Sequence, residues 1–138
     1  MAEDGLHFWL YASRFNAGQT AHDIGMIDEI VAQSKSRNRA CSVTGALIFT
    51  GGHFAQYIEG PSEGLQPIKQ SILSDSRHSD ARTVGEGMVR ARRFGDWAMA
   101  YNGQFPAFDK LVSRAYASKG SAGEILLMEM LRRFSLTL

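Results

Sequence analysis

The 138-residue chain has few of the features that mark secreted, disulfide-bonded or membrane-spanning proteins. Its one cysteine, Cys41, cannot form an intramolecular disulfide, and the opening "MAEDGLHFWLYAS" does not look like a cleavable secretion leader. The longest apolar stretches, such as "EILLMEML", are far shorter than the roughly 20 residues that a transmembrane helix needs. We therefore expect a cytoplasmic protein with no membrane partner.

The charged residues favour no particular class of partner either. Lysine and arginine number 15 against 14 acidic residues, for a formal net charge of +1. Arg90, Arg92 and Arg93 lie near Glu86 and Asp96, so they do not form the uniform basic stripe that binds nucleic acid. We expect no direct nucleic-acid partner. The length and a 44% hydrophobic content predict one compact domain.

Apolar periodicity predicts the order strand, helix, strand, strand, helix, strand. "LHFWLYAS" alternates as a first strand, and "TAHDIGMIDEIVAQSKSRN" has helical spacing until Arg37 or Asn38. "CSVTGALIFTGGHFAQYIEG" predicts two strands joined at Gly51 and Gly52, and "SEGLQPIKQSILSDSRH" predicts the second helix. "RTVGEGMVRARRF" and "WAMAYNG" are typical of a fourth and a fifth strand.

This order is that of the ferredoxin-like α+β sandwich, βαββαβ, with a fifth strand added. Two more helical stretches, "AFDKLVSRAYAS" and "SAGEILLMEMLRRF", follow Pro106. We expect residues 1–103 to form the main domain and residues 104–138 a C-terminal helical extension. The last helix is apolar over more than a narrow stripe, so the sheet or a second subunit should cover it.

Common catalytic and metal-binding motifs are absent from the sequence. It contains no Walker phosphate loop, no dinucleotide-binding glycine pattern and no His-Glu-x-x-His zinc motif. The histidines, His7, His22, His53 and His78, are not spaced like metal ligands. A lone cysteine at the entrance of a strand is more typical of a small buried side chain than of a nucleophile. We therefore expect neither a metal site nor an ordinary enzyme.

Polar side chains occupy positions where a core strand should be apolar. In "GHFAQYIEG", Gln56 shares a face with Phe54 and Ile58, and a buried amide without partners costs roughly 1–3 kcal/mol. If the first strand is adjacent, Tyr11 reaches the same space, and a phenol hydroxyl pairs naturally with an amide. Two interpretations remain open. The pair satisfies itself and does nothing more, or it binds the polar edge of a buried heterocycle.

Five motifs follow one another along the chain: "LYAS", "SKSRNRACSVTGALIF", "GGHFAQYIEG", "SILSDSRHSD" and "RRFGDWAMAY". In this order and near this spacing, they resemble the BLUF family of flavin-binding blue-light sensors. The resemblance extends over about residues 6–102 and implies a short, stand-alone BLUF protein. It implies a photoreceptor that binds oxidised flavin non-covalently, with FAD favoured over FMN or riboflavin.

The resemblance also implies roles for individual residues. Gln56 would face the flavin N5 and O4 edge while bonded to Tyr11. Light would drive electron and proton donation from Tyr11, followed by rearrangement of the Gln56 amide. Asn38 would hold the pyrimidine edge of the ring and Asp75 the ribityl chain. The other implied flavin contacts are Ile30 and Ile72, which would sandwich the ring, and Ser34, Arg37, Arg77 and His78.

The output of such a sensor would pass through Trp97 and Met99 to a downstream protein or to a change in a homo-oligomer. Two positions depart from the family's pattern. Arg37 stands where Asn or His is common, and Ser71 stands where a longer Arg or His often approaches the flavin. The departures affect the phosphate contacts, for which the Arg37 guanidinium offers a replacement cation.

Three other functions stay open at the level of the sequence. They are a flavin-dependent oxidoreductase, an acylphosphatase-like hydrolase on the same fold, and an interaction module without photoactivity. The first lacks a recognisable substrate-positioning acid or base, and the second lacks an Arg and Asn pair in a phosphate-binding loop near the first strand. The presence of Tyr11 and Gln56 argues against the third.

Overall fold

The computed structural model describes residues 5–16, 24–95, 106–118 and 121–137. Along the chain the elements are β1 (Leu6–Phe15), α1 (Ile24–Ala40), β2 (Thr44–Phe49), β3 (His53–Gly60), α2 (Ser62–Leu73), β4 (His78–Val89), α3 (Pro106–Ala117) and α4 (Ser121–Thr137). The four strands form an antiparallel sheet in the order β2-β3-β1-β4. This topology confirms the predicted ferredoxin-like α+β class.

The fourth strand differs in position from its prediction. The sequence pattern placed it over residues 82–94, whereas β4 begins at His78 and ends at Val89. It begins earlier because its polar first residues pair with the far end of β1, where Ser79 lies opposite Arg14. It ends earlier because the backbone N–H groups of Arg93 and Phe94 bind the Glu59 side chain of β3. The predicted fifth strand, residues 97–103, lies outside the described residues.

The sheet lies between two helical layers, because successive side chains of each strand point to opposite faces. Trp9 and Ile58 pack with α2 on one face, whereas Phe8 packs with α3 and α4 on the other. Leu127 and Leu131 of α4 are fully buried in this second core, so the sheet covers the apolar last helix, one of the two predicted arrangements. No helix within the described ranges is long and apolar enough to cross a membrane.

The β2–β3 hairpin turns at Gly51 as predicted, with a φ of 103° that favours glycine. The hairpin also holds α3. The Thr50 hydroxyl donates a 2.5 Å hydrogen bond to Oδ1 of Asp109, and Nδ1 of His53 lies 2.9 Å from the same oxygen. Burial alone would raise the pKa of Asp109, but these bonds outweigh it and the pKa lies below its usual value. The ionised carboxylate of Asp109 therefore attaches the first turn of α3 to the hairpin.

Candidate functional site

A cleft opens between the sheet and helices α1 and α2, with about 470 Å³ of empty space that continues into solvent. Its lining includes nine of the predicted site residues: Tyr11, Ile30, Ser34, Arg37, Gln56, Ile72, Asp75, Arg77 and His78. Gln33, Leu47 and Phe54 also line the cleft and were not predicted as site residues. The sequence held a signal for two of them, since Phe54 alternates with Gln56 on β3 and Gln33 follows Ile30 by three residues on α1.

Tyr11 and Gln56 lie opposite each other on neighbouring strands of the sheet. They are register partners in the β1–β3 pair, and the Tyr11 hydroxyl donates a 2.7 Å hydrogen bond to Oε1 of Gln56. Both side chains are buried, with 4% and 3% of their surface exposed. Burial raises the pKa of the Tyr11 phenol well above its usual value, and the nearby Arg37 offsets only part of this. The phenol is therefore a protonated hydrogen-bond donor at neutral pH.

The bond to Tyr11 does not satisfy the whole Gln56 side chain. Its buried amide nitrogen, Nε2, has no hydrogen-bond partner among the residues that the structure describes. The same holds, within those ranges, for Nδ2 and Oδ1 of Asn38, which is fully buried near the end of α1. A buried amide group without a hydrogen-bond partner lowers the unfolding free energy by about 1–3 kcal/mol. Nε2 of Gln56 can thus donate to a ligand in the cleft, whereas Asn38 is the predicted flavin contact that is absent from the lining of the cleft.

The apolar walls of the cleft come from two helices. Ile72 of α2 is buried with Trp9 and Tyr11, while Ile30 of α1 packs beside the cluster that contains Phe54. These aliphatic side chains suit a flat, largely apolar ring. The cleft therefore combines apolar walls with a few polar groups at its floor, as small-molecule sites generally do.

Asp75 and Arg77 form an ion pair at the end of α2. The Arg77 guanidinium donates to both carboxylate oxygens, with Nη2 2.5 Å from Oδ2, and the Arg77 backbone N–H donates to Oδ1 at 2.9 Å. Burial acts to raise the pKa of Asp75, but these bonds outweigh it and the pKa lies below its usual value. Asp75 thus lines the cleft as a carboxylate held in place by its neighbour.

His78 is fixed by hydrogen bonds at both ring nitrogens. Nε2 lies 2.6 Å from the backbone carbonyl of Ile72, and Nδ1 lies 2.6 Å from the Ser13 hydroxyl. A carbonyl oxygen only accepts hydrogen bonds, so Nε2 carries a hydrogen and donates a hydrogen bond to the Ile72 carbonyl. The ring then meets Tyr11 edge-on, with centroids 6.1 Å apart.

Arg37 brings a cation to the cleft from α1. Burial lowers the pKa of its guanidinium, with partly compensating contributions from Tyr11, Cys41 and Asp75. Its buried Nε has no hydrogen-bond partner in the described part of the chain. An arginine remains charged in proteins, so this side chain can receive an anionic or carbonyl group of a ligand. The predicted relay residues Trp97 and Met99 lie outside the described residues.

Comparison with known proteins identifies the family to which this site belongs. The family model "BLUF: Sensors of blue-light using FAD" matches residues 6–100. The blue light- and temperature-regulated antirepressor BluF of Escherichia coli K12 is 40% identical over 73 residues, which are 53% of this chain and 18% of BluF. The chain thus matches less than a fifth of that relative's own length.

Solved structures give the same assignment. The dark-state structure of BlrB, a BLUF protein, has a TM-score of 0.73 and 27% sequence identity, and the match covers 98% of both chains. The structure of Klebsiella pneumoniae BlrP1 with FMN and cyclic diGMP has a TM-score of 0.60 and 30% identity, over 68% of this chain and 24% of BlrP1. With its sheet, cleft and family match in agreement, this chain belongs to the BLUF family of blue-light sensors that use a flavin.

Proposed function

We propose that the cleft binds an oxidised flavin non-covalently, with the polar edge of the ring against Gln56 and Asn38. The observation that carries the proposal is the Tyr11–Gln56 pair, in which the hydroxyl occupies Oε1 and leaves Nε2 for a ligand. A flavin presents carbonyl oxygens and ring nitrogens along one edge, and these match amide donors and acceptors. The side chains present therefore fit the cofactor that the family uses.

The lining of the cleft supports assignments for the remaining contacts of the flavin. We assign Ile30 and Ile72 to the two faces of the ring, and Asp75 to the ribityl chain. The polar groups left for the rest of the cofactor are Ser34, Arg37 and Arg77, of which Arg37 is the cation for a phosphate. His78 lines the cleft with both ring nitrogens already bonded, so we assign it a contact through its ring alone. We assign FAD as the cofactor in line with the family's description, with FMN as the alternative because BlrP1 holds it.

When bound, the flavin would supply the absorption of blue light and an electron acceptor. Tyr11 is the candidate donor of an electron and a proton, because its hydroxyl is bonded to Gln56, whose Nε2 is left for the ligand. The Gln56 amide has one donor end and one acceptor end of similar size, so it can exchange hydrogen bonds by rotation or tautomerism. In this scheme the dark and lit states would differ in the hydrogen bond that the Gln56 side chain offers to the flavin.

The proposed output is a change in protein binding or in oligomeric state, without catalysis by this chain. The acid and the imidazole of the cleft support this, since Asp75 is bonded to Arg77 and His78 to Ser13 and Ile72. We also propose Trp97 and Met99 as relay residues, from the family resemblance alone. A downstream protein and a homo-oligomer are both compatible with the scheme.

An absorption spectrum tests the proposed function directly. The purified protein, reconstituted with FAD, should show an oxidised flavin spectrum that shifts slightly to the red after blue light and returns in the dark. Gln56→Leu should bind flavin without this shift. Gln33→Leu is the matched control, because Gln33 lines the same cleft but does not bond to Tyr11. An unchanged light response in Gln56→Leu would contradict the mechanism, and failure to bind any flavin would contradict the whole proposal.

A further inference from the structure

A buried carboxylate lies on β3, on the face opposite to Gln56. Glu59 is fully buried, and its Oε1 accepts a 2.9 Å hydrogen bond from the backbone N–H of Arg93. Its Oε2 accepts a 2.7 Å bond from the backbone N–H of Phe94. Two successive backbone N–H groups that converge on one carboxylate form an anion-binding nest. Glu59 thus binds the backbone just beyond the end of β4.

Two further donors complete the surroundings of this carboxylate. The Tyr57 hydroxyl lies 3.0 Å from Oε1, and the Thr44 hydroxyl lies 3.4 Å from Oε2. Burial first, and then the negative charge of Glu59, raise the pKa of the Tyr57 phenol, so the phenol remains a donor. A buried carboxylate is tolerated only when donors surround it, and four donors meet this requirement.

Arg92 makes the reciprocal contact from the same segment back to the sheet. Its Nη1 donates to the backbone carbonyl of Glu59 at 3.3 Å and to the Thr44 hydroxyl at 2.9 Å, while Nη2 donates to the Ser42 carbonyl at 2.7 Å. Phe94 is buried against Tyr57, with ring centroids 5.3 Å apart. We call Glu59, Arg92 and the N–H groups of Arg93 and Phe94 the β3–β4 clasp.

We propose that Glu59 is a positioning residue of the light response, which couples the strand of Gln56 to the segment after β4 through this clasp. The inference rests on the proposed function of the cleft. Gln56 and Glu59 are three residues apart on one strand, about 10 Å. A shift of β3 that follows rearrangement of Gln56 therefore moves the Glu59 carboxylate and both of its backbone hydrogen bonds. The signal crosses the sheet from one face to the other by this route.

Amide hydrogen exchange at Arg93 and Phe94 tests the clasp. In the flavin-free protein, Glu59→Gln should raise the exchange rate of these two backbone amides about fivefold to thirtyfold. The glutamine side chain has one acceptor oxygen, whereas both oxygens of the Glu59 carboxylate accept a backbone hydrogen bond. Glu63→Gln is the matched control, since Glu63 is exposed on α2 and outside the clasp. Equal exchange in Glu59→Gln and the wild type would overturn the clasp itself.

The coupling needs a readout that a merely structural role would not change. In the flavin-loaded wild type, blue light should alter exchange at Arg93 and Phe94. Glu59→Gln should keep the red shift of the flavin but lose this light-dependent difference. If Glu59→Gln does not fold, Arg92→Gln at the half-buried end of the clasp should reduce the difference. A wild type that shows the red shift with identical exchange in dark and light would overturn the coupling, whereas absence of the red shift would overturn the proposed function and the coupling with it.

Discussion

The indole of Trp9 lies stacked on the phenol of Tyr11, with ring centroids 4.4 Å apart and planes 26° from parallel. Trp9 is itself held by a 2.8 Å hydrogen bond from Nε1 to the Thr83 hydroxyl of β4, and the Lys69 ammonium of α2 lies 5.0 Å from its ring centroid. The Tyr11 ring is thus fixed by packing and its hydroxyl by Gln56. This arrangement leaves the phenol little freedom in the dark state.

Removal of the Tyr11 hydroxyl should abolish the red shift without abolishing flavin binding. Tyr11→Phe keeps the ring stacked on Trp9 but leaves Oε1 of Gln56 buried without its donor, at a cost of about 1–3 kcal/mol in unfolding free energy. Difference spectra and urea unfolding measure the two effects. Tyr116→Phe is the control, because it loses a 2.6 Å bond to the Asp80 carbonyl, its ring packs in the core on the opposite face of the sheet, and it should respond to light normally.

Replacement of Asn38 should separate ligand binding from stability. Asn38→Leu removes buried amide atoms that have no partner within the described ranges, so the flavin-free protein should be no less stable than the wild type. Flavin affinity should fall about fivefold to thirtyfold, as one or two hydrogen bonds are lost. Fluorescence titration with FAD and urea unfolding of the flavin-free protein measure both quantities. Unchanged affinity would remove Asn38 from the site.

The tyrosines of the two cores should resist ionisation at high pH. The pKa values of Tyr11 and Tyr57 are raised in the folded state, so their contribution to stability is complete below the usual value of about 10 and is lost as pH rises towards the folded values. At a pH of about 11, Tyr11→Phe and Tyr57→Phe should each give the same tyrosinate absorbance as the folded wild type. After unfolding, each variant should give less than the wild type. A lower signal from a folded variant would contradict the raised pKa.

The contact between α3 and the hairpin should weaken in acid. Because the folded-state pKa of Asp109 is lowered, its stabilisation is complete above the ordinary value of about 3.9 and is lost as pH falls towards the folded value. At neutral pH, Asp109→Asn should cost about 0.5–1 kcal/mol, allowing for solvent screening of this partly exposed side chain. Urea unfolding should show that the difference from the wild type shrinks at pH 3 and below. A pH-independent difference would rule out the ionised contact.

Gly45 of β2 should not tolerate any side chain. A Cβ atom at this position would lie 1.9 Å from the backbone oxygen of Tyr57 on β3. Gly45→Ala should therefore lower the unfolding free energy by about 3 kcal/mol or prevent folding, because the hairpin backbone cannot move apart without losing its ladder. Gly95→Ala is the matched control, since a Cβ there meets no atom within 4 Å. Urea unfolding of the two variants measures the contrast.

The sequence pattern predicted the elements whose side chains alternate or repeat regularly, and it located the cleft through a polar residue on an apolar face. It did not identify the role of Glu59. A carboxylate at the end of a strand before Gly60 and Pro61 looks like a solvent-exposed terminus. Two of its four donors are backbone N–H groups 34 and 35 residues further along the chain, which leave no mark on residue type. The extent of β4 was missed for the same reason, since the early part of that strand is polar and pairs only through its backbone.

The sheet has two apolar faces, and this has a practical consequence for anyone who trims the chain. The family match ends at residue 100, before α3 and α4, yet these helices bury the face that carries Phe8, Leu10, Ile48 and Tyr57. A fragment that ends near residue 103 would expose this apolar face to water. Such a fragment should self-associate or precipitate, so fusion proteins and crystallisation trials should retain residues 104–138.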